Sequence, residues 1–168
     1  MLFRSLRKKV KNNIIASEKC ISYFPVTPSI FSENTIYSEP NMVKDLRTLV
    51  TILNNFQNNG INIKLKIKIK REVSKMHSQK YVKLINDFSS QYKWIDFINP
   101  KSEIIKELRS SELVVCSPFT TVALMAKYLE KKVIYFSTAK NYFMKKTHEN
   151  ISVVTDEKKL IKIIKKII

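Results

Sequence analysis

The stretch Glu112–Ser137 most constrains the fold, because two short apolar runs there flank an amphipathic segment. The first run, Leu113–Cys116, leads into Ser117-Pro118, and the second, Val133–Phe136, is rich in β-branched and aromatic residues. Between the two runs, apolar residues recur every three or four positions, which is the period of a helix. The stretch therefore predicts a strand, a turn, a helix and a second strand, in that order.

The start of this predicted helix is a candidate anion site. Ser117 can cap the helix, and Pro118 suits the first helical position because its missing N–H is not needed there. The hydroxyl groups of Ser117, Thr120 and Thr121 are then expected beside unpaired N–H groups at the positive end of the helix. In open parallel sheets, ligands bind outside the carboxyl ends of strands, where this turn lies. The alternative is a capped helix without a ligand, since Ser and Thr are common in first helical turns.

Strand-like and helix-like patterns alternate along the rest of the chain, from residue 20 to residue 168. Predicted strands cover 20–26, 61–70, 94–98, 113–116, 133–136 and 151–154, and predicted helices cover 41–56, 74–90, 102–109, 117–129 and 155–168. The alternation predicts an α/β fold, with a parallel sheet and helices on both faces. The run 61–70 alternates strictly between apolar and mostly lysine residues, which predicts an edge strand or a partly uncovered one.

Composition limits the kinds of site that this chain can hold. Its 168 residues suit one domain, and Gly60 is the single glycine, which excludes a glycine-rich dinucleotide fingerprint and a P-loop. Cys20 and Cys116 supply neither a disulfide framework nor a cysteine-type metal site, so we expect no cofactor and no metal. No run approaches the ~20 apolar residues of a spanning helix, and the expected location is the cytoplasm.

A net charge of +17 suggests an anionic partner: nucleotide phosphates, acidic lipid head groups, an acidic glycan or nucleic acid. The alternative is compositional drift in a chain rich in Lys, Ile and Asn. Nucleic acid ranks lowest, because no aromatic residues interleave with the basic runs. The last helix separates apolar from basic residues, which favours packing on the sheet over lying on an anionic membrane, although the lysines alone could face lipid at the inner face of the membrane.

The two histidines are predicted to be surface residues. His77 falls in a polar part of a predicted helix and His148 in a predicted loop. Neither has a carboxylate or a second histidine at ligand spacing, so we expect no metal or catalytic role for them.

A family resemblance rests on the later part of the chain, which reads ELRSSELVVCSPFTTVALMAKYLEKKVIYF, and on a basic strand end at Lys68–Glu72. This arrangement resembles the carboxyl-terminal, donor-binding half of bacterial GT-B glycosyltransferases. More narrowly, it resembles the surface-polysaccharide biosynthesis proteins named for a Pro-Phe-Thr-Ser motif, here Pro118–Thr121. The resemblance covers about residues 20–168 and implies one Rossmann-like half, with residues 1–19 as a basic lead segment or linker.

The resemblance also implies a site for a nucleotide-sugar donor. Its phosphates are expected to be held by two groups of residues, a basic strand end and the hydroxyls of a helix start: Lys68, Lys70, Arg71, Ser117, Thr120 and Thr121. Many relatives have Lys-Pro-His-Pro at the basic strand end, where this chain has no histidine. The alternative for these lysines is a solvated face of an edge strand.

A GT-B enzyme also needs an amino-terminal acceptor domain, which usually carries the general base, and 168 residues cannot hold both halves. The resemblance therefore implies a donor-binding domain for capsule or lipopolysaccharide synthesis that works with an acceptor domain or a partner subunit. The alternatives are a truncated product, one subunit of a split enzyme, and a noncatalytic remnant. Catalytic residues are not assigned by the sequence.

Overall fold

The computed structural model describes residues 18–29, 31–69, 74–139 and 151–168. Within them, strands and helices follow one another along the chain as β1 (Lys19–Phe24), α1 (Glu39–Asn58), β2 (Ile63–Ile67), α2 (Gln79–Gln91), β3 (Ile95–Phe97), α3 (Ile104–Arg109), β4 (Leu113–Cys116), α4 (Thr121–Tyr128), β5 (Lys132–Phe136), β6 (Ser152–Val154) and α5 (Glu157–Lys165). The predicted lead segment 1–19 lies almost wholly outside the described residues, so the division at residue 20 stays a prediction.

The six strands form one parallel sheet in the order β3-β2-β1-β4-β5-β6. The chain winds outward from β1 to β3, crosses back to β4 and winds outward again to β6. Helices α1, α2 and α5 pack on one face, and α3 and α4 pack on the other. This is the strand order of a doubly wound, Rossmann-like sheet, and it confirms the predicted fold class.

The core has two layers because successive residues of each central strand point to opposite faces. Ile21, Tyr23 and Val115 pack under α1 and α2, whereas Val114 and Cys116 pack under α3 and α4. Cys116 is fully buried, and burial raises the pKa of its thiol to about 12. Packing between β4 and the helices on that face therefore accounts for Cys116.

The lysine-rich strand β2 is not an edge strand, so that part of the prediction is wrong. It pairs with β1 on one side and β3 on the other. The prediction of a partly uncovered strand is confirmed. Lys64 and Lys66 are half-buried on the face of the sheet where the six-residue helix α3 lies, and this short helix covers that face only partly. There Lys64 pairs with Asp96 at 2.9 Å, and Lys66 pairs with Glu107 of α3 at 3.0 Å.

Helices α2 and α4 begin three or more residues later than the sequence predicts. Helix α4 starts at Thr121 rather than Pro118, because Phe119 takes a positive φ of 61° and Thr120 is the extended N-cap residue. Helix α2 starts at Gln79, where the Ser78 hydroxyl accepts a 3.1 Å bond from a backbone amide of the first turn. At the end of α1, Gly60 has a φ of 80°, a left-handed conformation that glycine adopts readily after a helix.

Asp45 on α1 anchors that helix to the loop after β5. The side chain is 1% exposed, and its Oδ1 accepts the Thr138 amide at 2.6 Å and the Thr138 hydroxyl at 2.8 Å. Its other oxygen, Oδ2, has no partner among the described residues. Burial raises the pKa of Asp45, and the two bonds from Thr138 work against that rise.

Two substitutions separate the contribution of the hydrogen bonds from that of the charge. Asp45→Ala leaves the Thr138 amide and hydroxyl unpaired, so we expect it to lower the free energy of unfolding by about 2–4 kcal/mol. Asp45→Asn keeps an acceptor oxygen and removes a buried charge, so we expect its stability at neutral pH to match or exceed that of the unmodified chain. Urea unfolding of the three proteins measures both effects.

The same proteins give a pH test. Folding raises the pKa of Asp45, so ionisation of this acid lowers the free energy of unfolding. This loss of stability is absent below the pKa of the unfolded state and builds up as pH rises through the pKa of the folded state. The advantage of Asp45→Asn over the unmodified chain should therefore shrink on acidification. An advantage that grows as pH falls would contradict burial as the dominant effect on Asp45.

Candidate functional site

A cavity of about 310 Å³ lies at the carboxyl ends of β1 and β2, beside the start of α4. This is the crevice between β1 and β4, where the winding of the sheet changes direction. Much of its wall is apolar, and its polar lining residues are Thr27, Tyr37, Lys68, His77, Thr120 and Thr121. No carboxylate is among the described residues that line it.

Lys68 directly follows β2 and supplies a buried cation to the cavity wall. It is 3% exposed, and its Nζ donates to the carbonyl oxygens of Asn99 at 2.9 Å and Pro100 at 2.8 Å. No described carboxylate lies within ion-pair distance of it. Burial lowers the pKa of the Lys68 ammonium. The more distant carboxylate of Glu107 raises that pKa, but by less than burial lowers it.

The start of α4 forms a second side of the cavity. Phe119 has a left-handed backbone, which is uncommon for a bulky residue and costs about 1–2 kcal/mol. The backbone N–H groups of residues 119–122 have no hydrogen-bond partner in the described part of the chain. At the helix start Thr120 is half-buried and Thr121 is exposed, and both line the cavity. The Thr120 hydroxyl donates to the Ser117 carbonyl oxygen at 3.1 Å.

Ser117 lies elsewhere than the sequence predicts. It is not the helix N-cap, and it is fully buried behind the turn. Its Oγ accepts the Val26 amide at 3.0 Å, and its amide donates to the Phe24 carbonyl oxygen at 3.1 Å. Ser117 thus joins the ends of β1 and β4, and it is not among the residues that line the cavity.

Of the three basic residues predicted to bind phosphate at the end of β2, Lys68 alone falls inside the described residues. Lys70 and Arg71 lie outside them, in the gap 70–73. The structure therefore brings Lys68, Thr120 and Thr121 to one cavity, places Ser117 behind it, and leaves the roles of Lys70 and Arg71 as predictions.

His77 lines the cavity, and the sequence analysis missed it. It lies in a turn before α2 rather than on a helix, and this turn is bridged to Ser29 of the β1–α1 loop. The ring Nδ1 accepts the Ser74 amide at 3.0 Å, and the Ser74 hydroxyl lies 3.0 Å away. Because a backbone amide can only donate, a neutral imidazole must carry its proton on Nε2. No local pattern signals this position, since it depends on the bridge to a segment distant in sequence.

Tyr37 fixes the mouth of the cavity. Its hydroxyl donates to the Pro118 carbonyl oxygen at 2.6 Å and so ties the β1–α1 loop to the turn before α4. Burial raises the pKa of this hydroxyl, which keeps it a donor at neutral pH.

The cavity gathers hydrogen-bond donors and a cation from three separate elements: the end of β2, the start of α4 and the turn before α2. Such a set fits an anion with several oxygens. Within the described ranges, no group of three His, Cys, Asp or Glu residues is arranged to hold a metal ion. Within the same ranges, no helix has the length and apolar composition needed to cross a bilayer.

Comparison with solved structures finds a similar fold in the wall teichoic acid polymerase TagF, in a histidine-to-asparagine variant soaked with CDPG. The TM-score is 0.55 at 11% sequence identity, over 90% of this chain and 32% of that one. The chain thus spans about a third of the length of that polymerase, and at this identity the likeness is one of fold. No curated protein sequence matches the chain.

A family comparison of the sequence matches residues 3–164 to the polysaccharide biosynthesis PFTS motif proteins. That match spans nearly the whole chain and includes Pro118–Thr121, of which Phe119, Thr120 and Thr121 line the cavity. It confirms the family resemblance read from the sequence, and the chain belongs to the polysaccharide biosynthesis PFTS motif protein family.

Proposed function

We propose that this chain is the donor-binding domain of a glycosyltransferase of surface-polysaccharide synthesis, such as capsule or lipopolysaccharide. The cavity between β1 and β4 holds the phosphates of a nucleotide-sugar. Family membership supports the polysaccharide context, and the Rossmann-like strand order supports a nucleotide at this crevice.

The observation that carries the proposal is the buried ammonium of Lys68. Burying a charge without a counter-charge is costly, and proteins usually pair such a group or bind an ion to it. Lys68 has two carbonyl partners and, among the described residues, no carboxylate at ion-pair distance. An ammonium has three N–H donors, so a third is left for a ligand in the adjoining cavity. An anionic ligand there would supply the missing counter-charge.

The other donors suit a phosphate in the same place. Unpaired N–H groups at the start of α4 bind anions well, since they lie at the positive end of the helix dipole. Thr121 adds a hydroxyl, and His77 adds a neutral Nε2–H donor. In this proposal Lys70 and Arg71 add further charge from the segment beside Lys68.

The chemistry requires donors of this kind. In glycosyl transfer the bond between the anomeric carbon and the phosphate oxygen breaks, and the anomeric carbon forms a bond to the acceptor oxygen. The electron pair leaves with the nucleotide phosphate, and the acceptor proton goes to a general base. Fixed donors and a desolvated cation stabilise the negative charge as it develops on the leaving phosphate.

The general base is expected from outside this domain. No carboxylate lines the described part of the cavity, and His77 keeps its proton on Nε2, which makes it a donor rather than a base. We propose that an acceptor domain or a partner subunit supplies that base, with residues 20–168 as the donor-binding unit.

The lack of a base among the described lining residues also favours a second candidate, a noncatalytic subunit that binds donor. A chain that binds nucleotide but supports no sugar transfer with its partner would identify this second case.

Replacing Lys68 should separate ligand binding from folding. Lys68→Met removes a buried charge together with two hydrogen bonds, so we expect the free energy of unfolding to change by no more than about 1–2 kcal/mol. Pyrophosphate binding should weaken by about 10- to 100-fold, which corresponds to one charge-assisted hydrogen bond. Calorimetric titration with pyrophosphate and thermal unfolding measure the two quantities.

Lys64→Met is the matched control, because Lys64 lies on the same face of β2, pairs with Asp96 and does not line the cavity. We expect its pyrophosphate affinity to equal that of the unmodified chain. Equal affinity of Lys68→Met and the unmodified chain would overturn the role of Lys68. If the unmodified chain binds neither pyrophosphate nor any common nucleoside diphosphate, the proposed function itself fails.

A pair of substitutions tests His77. Glutamine can place an amide N–H near the Nε2 position, whereas asparagine reaches only as far as Nδ1. We expect His77→Asn to weaken nucleoside diphosphate binding by about 5- to 10-fold, as for one neutral hydrogen bond, and His77→Gln to retain most of the affinity. Nitrogen-15 NMR of the unmodified chain should show the proton on Nε2. A proton on Nδ1 would contradict the contact with Ser74.

A further inference from the structure

Helix α5 turns its lysines away from the sheet. An α-helix advances about 100° per residue, so Lys158, Lys162 and Lys165 fall within an arc of about 60°. Leu160 and Ile164 lie on the opposite side, and both are 0% exposed against the core. Packing therefore accounts for the apolar side of the helix, as the sequence analysis favours, and its basic side remains free to meet a partner.

The lysines of α5 continue into a wider basic surface at the amino ends of β4 and β5. There a shallow depression is lined by four basic residues and two acidic ones: Arg109, Lys131, Lys132, Lys166, Glu112 and Glu130. Glu112 is already bound, since its Oε2 accepts the Cys20 amide at 2.7 Å. We call the α5 basic surface the set Lys158, Lys159, Lys162, Lys165, Lys166 and Lys132.

No member of the α5 basic surface forms an ion pair with a described carboxylate. Its six lysines are exposed and outnumber the four neighbouring carboxylates, which are Glu112, Glu130, Asp156 and Glu157, so the surface carries a net positive charge. This surface runs along α5 from the carboxyl end of β6 to the amino ends of β4 and β5, and none of its residues lines the cavity at the carboxyl ends of β1 and β2. A partner on the α5 basic surface would thus leave the cavity open.

We propose that the α5 basic surface docks the protein on a bilayer that carries anionic lipids. Clusters of four to eight basic residues on an amphipathic helix adsorb to acidic head groups, and each contributes about 1 kcal/mol, or about a fivefold change in binding. The apolar residues of α5 are used in the core, so the contact is electrostatic adsorption without insertion of the helix. Nucleic acid fits this surface less well, because the surface has no aromatic residue on which bases could stack.

The test is sedimentation of the full chain with phosphatidylcholine vesicles, with and without phosphatidylglycerol. The unmodified chain should bind only the anionic vesicles, and about 1 M salt should release it, since the Debye length is then about 3 Å. Lys158→Gln, Lys162→Gln and Lys165→Gln together should weaken this binding on the order of a hundredfold. Glutamine is a good helix former, and Lys159, which donates to the Val153 carbonyl oxygen, is left unchanged.

The matched control carries the same change in net charge at three exposed lysines of other elements: Lys83, Lys93 and Lys106. It should keep most of the vesicle binding, and circular dichroism should show that both triple variants are folded. Equal loss in the two variants would mean that overall charge alone drives binding, and no loss in the α5 variant would mean that the surface is elsewhere. Either result overturns the proposal. It also fails if a single-stranded RNA binds more tightly than the vesicles at the same salt and the α5 variant loses that binding.

Discussion

The structure depends on the reversal of winding between β1 and β4. Because the chain leaves these neighbouring strands toward opposite faces of the sheet, no connection crosses the gap between their carboxyl ends. Three hydrogen bonds hold the sides of that gap together: from the Val26 amide to Ser117 Oγ, from the Ser117 amide to the Phe24 carbonyl oxygen, and from the Tyr37 hydroxyl to the Pro118 carbonyl oxygen. The position of the cavity therefore follows from the strand order, and the loops after β1 and β4 set its shape.

Within that cavity, stability and binding make opposite demands. Most lysines of β2 and α5 lie where solvent or a carboxylate can balance their charge. Lys68 is buried and has no carboxylate at ion-pair distance among the described residues, and Phe119 holds a backbone conformation that most residues avoid. Unfavourable local features of this kind collect at binding sites, where a ligand can compensate for them. Their occurrence together at one cavity is a stronger indication of a site than either feature alone.

Local sequence patterns predicted much of the fold, and non-local contacts account for what they missed. The run Leu113–Cys116 matches β4 because its apolar character is a property of the run itself. The start of α4 could not be predicted from the local sequence. Phe119 has a left-handed backbone conformation, which a sequence usually indicates by a glycine.

The candidate site was predictable only in part. Lys68 and Thr120 were assigned from the family resemblance. The sequence cannot show that the loop after β3 covers the ammonium of Lys68 but leaves that of Lys64 half-exposed. Nothing in the sequence assigned His77 a role, because no carboxylate or second histidine lies at ligand spacing from it. Its position arises from the bridge between its turn and Ser29, which joins segments almost fifty residues apart.

The buried ammonium also links occupancy of the cavity to the lifetime of the protein. A ligand that binds only the folded state adds RT ln(1 + [L]/Kd) to the free energy of unfolding, and one that neutralises Lys68 removes a standing electrostatic cost as well. Cellular proteases remove chains from the unfolded population. The amount of this protein in a cell would then follow the supply of the ligand that fills this cavity.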